Sequence, residues 1–236
     1  MIEAPPYAPP HAPYLSIAYL DEEMIVADKP SGLLSVPGKP PDMDDCVETR
    51  AKAAFDRAFI IHRLDMATSG LILLARTKAA QRCASAQFEA REIAKTYHAV
   101  TARAPDGDEG EIDLPLITDW PNRPRQKVCH ETGKPSLTHW RVEARIGGGA
   151  LLRLTPKTGR SHQLRVHLMS IGCPIVGDAL SGGGLEEAPR LMLHASSIGW
   201  RKTSGEYVEV SSPPPFSAAT FPAADGASCA APSEKE

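Results

Sequence analysis

The sequence predicts an α+β fold on a mixed, mostly antiparallel sheet that is flanked by helices and loops. Segments with strand character outnumber segments with helical character. Segments 137–146 and 151–154 flank Gly147-Gly148-Gly149, which is the pattern of a local hairpin. Strand and helix signals do not alternate regularly, so a sheet built from repeated βαβ units is not expected.

Further strands are predicted from short apolar runs. Segments 17–19 and 24–27 read as two strands on either side of an acidic turn. The run 71–75 is continuously apolar, which is typical of a strand buried on both faces. Segment 96–102 also has strand composition.

Three helices are predicted from capping residues and apolar spacing. The first begins at Asp45, with Glu48 as its capping-box partner. Thr77 caps the second helix, and Ser161 caps a third that Gly172 ends. The positions expected to form their apolar stripes are Val47, Ala51, Ala54, Phe55 and Ala58, then Ala80, Ala84 and Phe88, then Leu164, Leu168 and Ile171.

The length and composition fit one globular domain. The chain has 236 residues, of which 42% are hydrophobic and 23% charged. The proline-rich residues 1–14 predict an extended or disordered arm, residues 15–222 a globular domain, and residues 223–236 a disordered tail. No apolar stretch is long enough to span a membrane, and the N-terminus lacks the pattern of a signal peptide.

The five cysteines are scattered and form no C-x-x-C pair. This argues against a disulfide framework and against a cysteine zinc site. We therefore expect free thiols in the reducing cytoplasm.

Charge is unevenly distributed, although the net charge is only −3. Residues 121–165 contain ten basic and two acidic residues, which gives a local charge of +8, whereas residues 101–120 contain six acids and one arginine. Such a segment fits a localised polyanion site. A solvated basic face that binds nothing gives the same pattern, and charge alone does not separate the two.

Three segments combine residues that could carry chemistry. Asp65 lies in a charged, hydroxyl-rich loop at 61–70, where it is either a functional carboxylate or a structural cap of a turn. Segment 157–167 places basic residues before a helix N-terminus, where backbone N–H groups attract anions, but it could equally be a basic cap on a surface helix. Segment 95–98 contains Tyr97, which by itself is ordinary strand packing.

Several enzyme classes are excluded by missing motifs. The sequence has no H-E-x-x-H, no phosphate-binding glycine loop of either common type, and no G-x-S-x-G elbow. Ser69 followed by Gly70, with His62 nearby, is only a weak hint of a Ser/His hydrolase.

Four motifs in order resemble the RluA family of pseudouridine synthases. They are DKPSGLLSVPG at 28–38, HRLDMATSG at 62–70, KTYHA at 95–99 and KTGRSHQLRVH at 157–167. The resemblance covers about residues 15–222 and implies the pseudouridine synthase fold. Segment 113–135 is similar to a branch that modifies both large-subunit ribosomal RNA and the anticodon stem-loop of transfer RNA.

The resemblance implies an isomerisation that needs no cofactor and no metal. Asp65 matches the catalytic carboxylate, Arg165 its paired cation, and Tyr97 the aromatic residue that stacks on the flipped uracil. Arg63 resembles the residue that fills the space left by that base. The further residues expected to contact RNA are His62, Arg123, Arg125, Lys157 and Arg160.

Other interpretations of the same residues stay open at this point. One is a non-catalytic RNA-binding module, another is a carboxylate glycosidase acting on free nucleosides, and a third is the same enzyme acting on only one RNA. A pure binder does not need Asp65, Tyr97 and Arg165 together, and a glycosidase needs a second acid near Asp65. We expect a cytoplasmic monomer.

Overall fold

The structure is a computed structural model of the chain and describes residues 7–180 and 188–216. The predicted α+β class is confirmed by one large mixed sheet that carries three α-helices. In chain order the strands are β1 Ser16–Leu20, β2 Met24–Lys29, β3 Phe59–Ile60, β4 Ser69–Ala75, β5 Ala94–Thr101, β6 Glu109–Asp113, β7 Leu116–Thr118, β8 Gln126–Val128, β9 Leu137–Ile146, β10 Gly149–Pro156, β11 Leu193–Arg201 and β12 Tyr207–Ser211. The helices are α1 Val47–Ala54, α2 Lys78–Ala90 and α3 Gln163–Ser170.

The ten strands of the large sheet follow the order β1-β2-β4-β11-β5-β10-β9-β6, with β3 beside β4 and β12 beside β11. Strands β4 and β11 run parallel, and the other strand pairs described here are antiparallel. The β7–β8 hairpin forms a separate two-stranded sheet. The predicted hairpin at Gly147–Gly149 is confirmed as the β9–β10 connection.

Strand β4 forms the centre of the core, and all seven of its residues are buried. Its side chains alternate between the two faces of the sheet, as strand geometry requires. Leu71 and Leu73 pack in the cluster that includes α2, while Ile72 and Leu74 pack in the cluster that includes α1. Each buried leucine of this kind contributes roughly 1.5–3 kcal/mol to folding.

Gly70 allows β4 to approach β11 closely. Its φ is +110°, and a Cβ at this position would lie 2.3 Å from the carbonyl oxygen of Ala195. Both the backbone conformation and the space therefore require glycine. The second residue of β4 is therefore glycine.

Two of the three predicted helix caps are wrong. Helix α1 is capped by Cys46, whose sulfur accepts from the backbone N–H of Thr49, because the Asp45 carboxylate instead binds the fully buried Arg50 at 2.6 Å. Glu48 does not complete a capping box but pairs with Lys52. Ala54, predicted on the apolar stripe, is exposed.

Helix α3 begins after His162 rather than at a Ser161 cap. His162 is the N-cap residue, has a left-handed φ of 54° and makes no side-chain cap. The oxygen of the Gln163 side chain instead accepts from the Arg160 N–H and the Thr158 hydroxyl. The cap predicted at Thr77 is confirmed, since its hydroxyl oxygen accepts from Ala80 N at 3.0 Å.

The described part of the arm contacts the domain. The Tyr7 hydroxyl donates to the Asp45 carbonyl and accepts from Leu34 N. Residues 1–6 of the arm, the end of the predicted domain at 217–222 and the predicted tail at 223–236 lie outside the described residues.

Among the described helices, none has both the length and the apolar content to cross a membrane.

Candidate active site

Asp65 lies in the loop between β3 and β4, and the segment after β2 fixes the shape of that loop. The Met66 carbonyl accepts from Gly32 N at 2.9 Å, and the Ala67 carbonyl accepts from the Ser31 hydroxyl at 2.7 Å. These contacts join the first motif at 28–38 to the second at 62–70. The backbone on the C-terminal side of Asp65 is therefore held from outside its own loop.

Ser35 holds the other side of the same loop. Its hydroxyl donates to the Leu64 carbonyl at 2.8 Å and accepts from Leu64 N at 3.0 Å. Ser35 and Leu64 are both buried, so these hydrogen bonds form away from solvent. Asp65 is thus bracketed by fixed backbone at Leu64 and at Met66.

Lys29 is a buried cation beneath the loop. Only 1% of it is exposed, and its ammonium donates to the carbonyls of Pro30, Leu33 and Met66. These three bonds use the three donors of the group. Burial lowers the pKa of Lys29 to about 7, and the Asp65 carboxylate opposes this shift.

Replacing Lys29 with methionine should destabilise the domain by roughly 2–4 kcal/mol, because buried carbonyls lose their donors. Urea unfolding of both proteins measures the difference. Lys52→Met is the matched control, since Lys52 is an exposed lysine whose loss should change stability by less than about 0.5 kcal/mol. Equal effects of the two substitutions would contradict the assigned role of Lys29.

The difference in unfolding free energy between wild type and Lys29→Met should depend on pH. The pKa of Lys29 is lower in the folded chain than the ordinary 10.5, so the unfolded chain binds more protons between about pH 7 and pH 10.5. Stability rises with pH wherever the unfolded state binds more protons. The wild type should therefore gain stability relative to Lys29→Met as pH increases above 7, and a constant difference would contradict the shift.

Two groups face the carboxylate of Asp65. Arg165 Nη1 lies 3.5 Å from Oδ2, and His162 Nε2 lies 3.8 Å from Oδ1. Arg165 comes from α3, a hundred residues further along the chain. The cation predicted to pair with Asp65 is therefore beside it.

Asp178 holds Arg165 in this position. Arg165 Nε donates to Asp178 Oδ2 at 3.0 Å, and Nη2 donates to Oδ1. Burial lowers the pKa of Arg165, but the hydrogen bonds and charges of Asp178 and Asp65 outweigh it and the net shift is upward. Because Asp178 is itself 1% exposed, the pair forms a fixed, bidentate support for the group that faces Asp65.

Tyr97 lies on the central strand β5, opposite Leu154 of β10 and Ala195 of β11. It lines the same cleft as Asp65. Burial raises the pKa of Tyr97, and the Asp65 carboxylate raises it further. The hydroxyl therefore keeps its proton at neutral pH and is suited to stacking and to donating a hydrogen bond.

His62 and Arg63 precede Asp65 but have different surroundings. His62 Nε2 accepts from Leu73 N at 2.9 Å, and its ring stacks on Phe88 with centroids 4.7 Å apart. Burial and the charge of Lys95 lower the pKa of His62 to about 3, so the ring is neutral. Arg63 is exposed at the cleft. Contacts of either residue with RNA stay predictions.

The cleft around these groups has a volume of about 770 Å³. It joins residues from all four motifs of the sequence. The lining side chains of most chemical interest are Arg63, Asp65, Lys95, Tyr97, Arg160, His162 and Arg165.

The basic segment 121–165 is divided by ion pairs. Acids of segment 101–120 pair with Lys127, Arg141 and Arg145, and Glu143 pairs with Arg153, so these four cations are neutralised locally. Arg165 is held by Asp65 and Asp178. Within the described residues, the cations of this segment that have no ion pair are Arg123, Arg125, Lys134, Lys157 and Arg160.

Sequence reasoning did not assign His162 or Asp178 to the site. The three-residue spacing of His162 and Arg165 was a usable signal, since both side chains reach Asp65. The left-handed φ of His162 is uncommon for a residue other than glycine, and such conformations cluster at functional sites. For Asp178, which follows the buried pair Ile175 and Val176, the sequence carried no usable signal.

The amino-acid sequence is similar to those of known RNA-modifying enzymes. The family model for RNA pseudouridylate synthase matches residues 23–170. A dual-specificity RNA pseudouridine synthase RluA from Escherichia coli K12 is 51% identical over 195 residues, which cover 81% of this chain and 89% of the relative. The protein of the same name from Pasteurella multocida is 47% identical over 214 residues, covering 89% of this chain and 98% of the relative.

A solved structure agrees with these matches. Human RNA pseudouridylate synthase domain containing 1 superposes with a TM-score of 0.73 at 27% identity, covering 94% of this chain and 89% of the human one. Both the matched motifs and the fold around Asp65 thus point to one family. The chain belongs to the RNA pseudouridylate synthase family.

Proposed function

We propose that this chain, an isomerase of the RNA pseudouridine synthase family, converts specific uridines in large-subunit ribosomal RNA and in the anticodon stem-loop of transfer RNA. The observation that carries the proposal is the meeting of Asp65, Tyr97 and Arg165 in one cleft, although they come from three separate motifs. The dual substrate is supported by segment 113–135 and by relatives named as dual-specificity enzymes.

The reaction breaks the bond between C1′ and N1 of uracil, turns the base and joins C1′ to C5. The base loses a proton at C5 and gains one at N1, so no atoms are gained or lost. Asp65 acts as the ionised carboxylate, either by attacking C1′ or by removing a sugar proton. Arg165 pairs with this carboxylate and fixes its orientation.

The target uridine has to leave its stack before it reaches Asp65. Extrusion costs a few kcal/mol, and less when the base lies in a loop. Tyr97 stacks on the extruded uracil, which contributes about 1–3 kcal/mol. Arg63, exposed beside the cleft, occupies the space that the base leaves.

The unpaired cations Arg123, Arg125, Lys157 and Arg160 bind phosphates. Such contacts position the RNA and make its affinity depend on salt, without reading sequence. Residues already neutralised by an acid, such as Arg141 beside Glu109, contribute little.

We also propose that the enzyme is monomeric and cytoplasmic. The described cysteines are free thiols, which fits a reducing compartment.

Replacing Arg160 with glutamine should weaken RNA binding and reduce the slope of log affinity against log salt by about 1. Arg141→Gln is the matched control, because Arg141 pairs with Glu109 and does not line the cleft. Binding is measured by fluorescence anisotropy at four salt concentrations. If both variants changed the slope equally, the paired and unpaired cations of the basic segment would bind phosphates alike, which would contradict the prediction.

Release of tritium from 5-tritiated uridine tests the proposed function directly, because the C5 proton leaves during the reaction. One RNA is an anticodon stem-loop, and the other is a large-subunit ribosomal RNA hairpin. Release from both supports the dual substrate, and release from one RNA alone restricts the substrate. Tight binding without release from either RNA would favour a non-catalytic RNA-binding module.

A further inference from the structure

We infer that Trp120 and Arg123 form a platform that stacks a second unpaired base of the RNA substrate, outside the cleft for the target uridine. The inference rests on the proposed function, because it names a subsite for the same RNA. Trp120 lies in the connection between β7 and β8 and is 65% exposed. The guanidinium of Arg123 lies 4.3 Å from the centroid of its ring.

Packing within the described part of the chain does not account for this tryptophan. The other two tryptophans of the chain, Trp140 and Trp200, are 8% and 1% exposed. Trp120 is more exposed than the other exposed large hydrophobic residues of the described chain, such as Tyr14 at 49%. Its contact with Arg123 covers part of the ring and leaves a large aromatic surface open to solvent.

The loop is held in one shape before RNA arrives. Asp119 N donates to the Arg125 carbonyl, and Arg125 N donates to the Asn122 carbonyl, both at 3.0 Å. The Asn122 amide also donates to the Asp119 carboxylate, which pairs with Lys127 at 3.6 Å. A preorganised loop loses little conformational entropy on binding, which is the condition for an exposed aromatic to act as a platform.

The platform lies beside the active-site cleft. Pro124, next to Arg123, lines the cleft that contains Asp65. Arg125 lines a smaller adjoining cavity together with His162 and Arg165. An RNA loop with one base extruded toward Asp65 therefore brings neighbouring nucleotides to the β7–β8 connection.

The charge of the loop identifies the partner as nucleic acid. Arg123 and Arg125 have no ion pair among the described residues, and both are exposed. An aromatic ring beside unpaired arginines matches a base with its flanking phosphates. A site for a protein partner would be expected to have further apolar residues around Trp120. The other residues of segment 119–125 are polar or proline.

The test uses the full chain and the anticodon stem-loop RNA. Trp120→Leu should raise the KM about ten-fold or more and leave kcat unchanged, because the stacked base lies outside the reacting centre. Trp120→Phe should lie between wild type and Trp120→Leu. Tyr207→Leu removes an exposed aromatic that does not line the cleft and should change neither constant.

Single abasic substitutions in the RNA identify the stacked base. One abasic RNA should bind wild type and Trp120→Leu equally, while the intact RNA separates them. Intrinsic fluorescence gives a second measurement, since RNA should quench the exposed Trp120 in Asp65→Asn protein and the quenching should be absent in an Asp65→Asn, Trp120→Leu double variant.

A KM within two-fold of wild type for Trp120→Leu would overturn the inference. Equal weakening on every abasic RNA would also overturn it, because Trp120 would then contact backbone rather than a base. Failure of the proposed function gives a different result, because wild type would then release no tritium. Fluorescence quenching and the binding of the abasic RNAs would still test the platform in that case.

Discussion

Asp65→Asn should lower kcat by a factor on the order of 10⁴ or more. Asparagine keeps the size of the side chain and one oxygen that accepts from Arg165, but it is neither a nucleophile nor a base at neutral pH. The loop geometry should survive, because Leu64 and Met66 are held by Ser35, Gly32 and Lys29 rather than by the Asp65 side chain. The predicted loss is therefore chemical.

RNA affinity should stay within a few-fold of wild type in the same variant. Removing a carboxylate does not weaken attraction to phosphates. Tritium release measures turnover and anisotropy measures binding, with Asp56→Asn as a control on an exposed aspartate outside the cleft. Retained turnover would remove Asp65 from its assigned role, and a parallel loss of binding would indicate a damaged fold.

Local features of the chain were predictable because their causes lie within a few residues. The buried strand β4 follows from a continuous apolar run, and the β9–β10 hairpin follows from three glycines. The cap at Thr77 needs only a hydroxyl and the N–H of Ala80. These elements are determined by residues that are close together in the chain, so they can be predicted from the sequence.

Other features depend on residues that meet only in the folded chain. Asp45 looked like a helix cap, but the buried Arg50 requires its carboxylate more strongly than the helix end does. Strand β11 pairs with β4, β5 and β12 and is buried along most of its length, although its sequence mixes polar and apolar residues. No local pattern predicts either result.

The site shows the same division. Its residue types were visible in four motifs, and the resemblance to a family gave their roles. The contacts were not visible: Lys29 and Met66 are 37 residues apart, and Arg165 and Asp65 are 100 apart. The +8 count also treated Arg141, Arg145 and Arg153 as free charges, whereas strand pairing and a nearby glutamate neutralise them.

Arg165→Lys should lower kcat by a factor of roughly 10²–10³, although the charge is conserved. Arg165 holds Asp178 with Nε and Nη2 while Nη1 faces Asp65, and a single ammonium does not reproduce this planar fork. The variant should also lose about 3 kcal/mol of stability, because the buried Asp178 loses its bidentate partner. Tritium release and urea unfolding measure the two effects, and near-wild-type kinetics would contradict the pairing.

The double variant Arg165→Lys with Asp178→Asn separates the two effects. Neutralising Asp178 removes the buried charge that the lysine leaves poorly compensated, so much of the stability should return. The rate should stay low, because nothing in the double variant fixes a cation against Asp65 Oδ2. If the rate returned together with stability, Arg165 would act only as a structural support, and the orientation of the Asp65 carboxylate would have to come from His162.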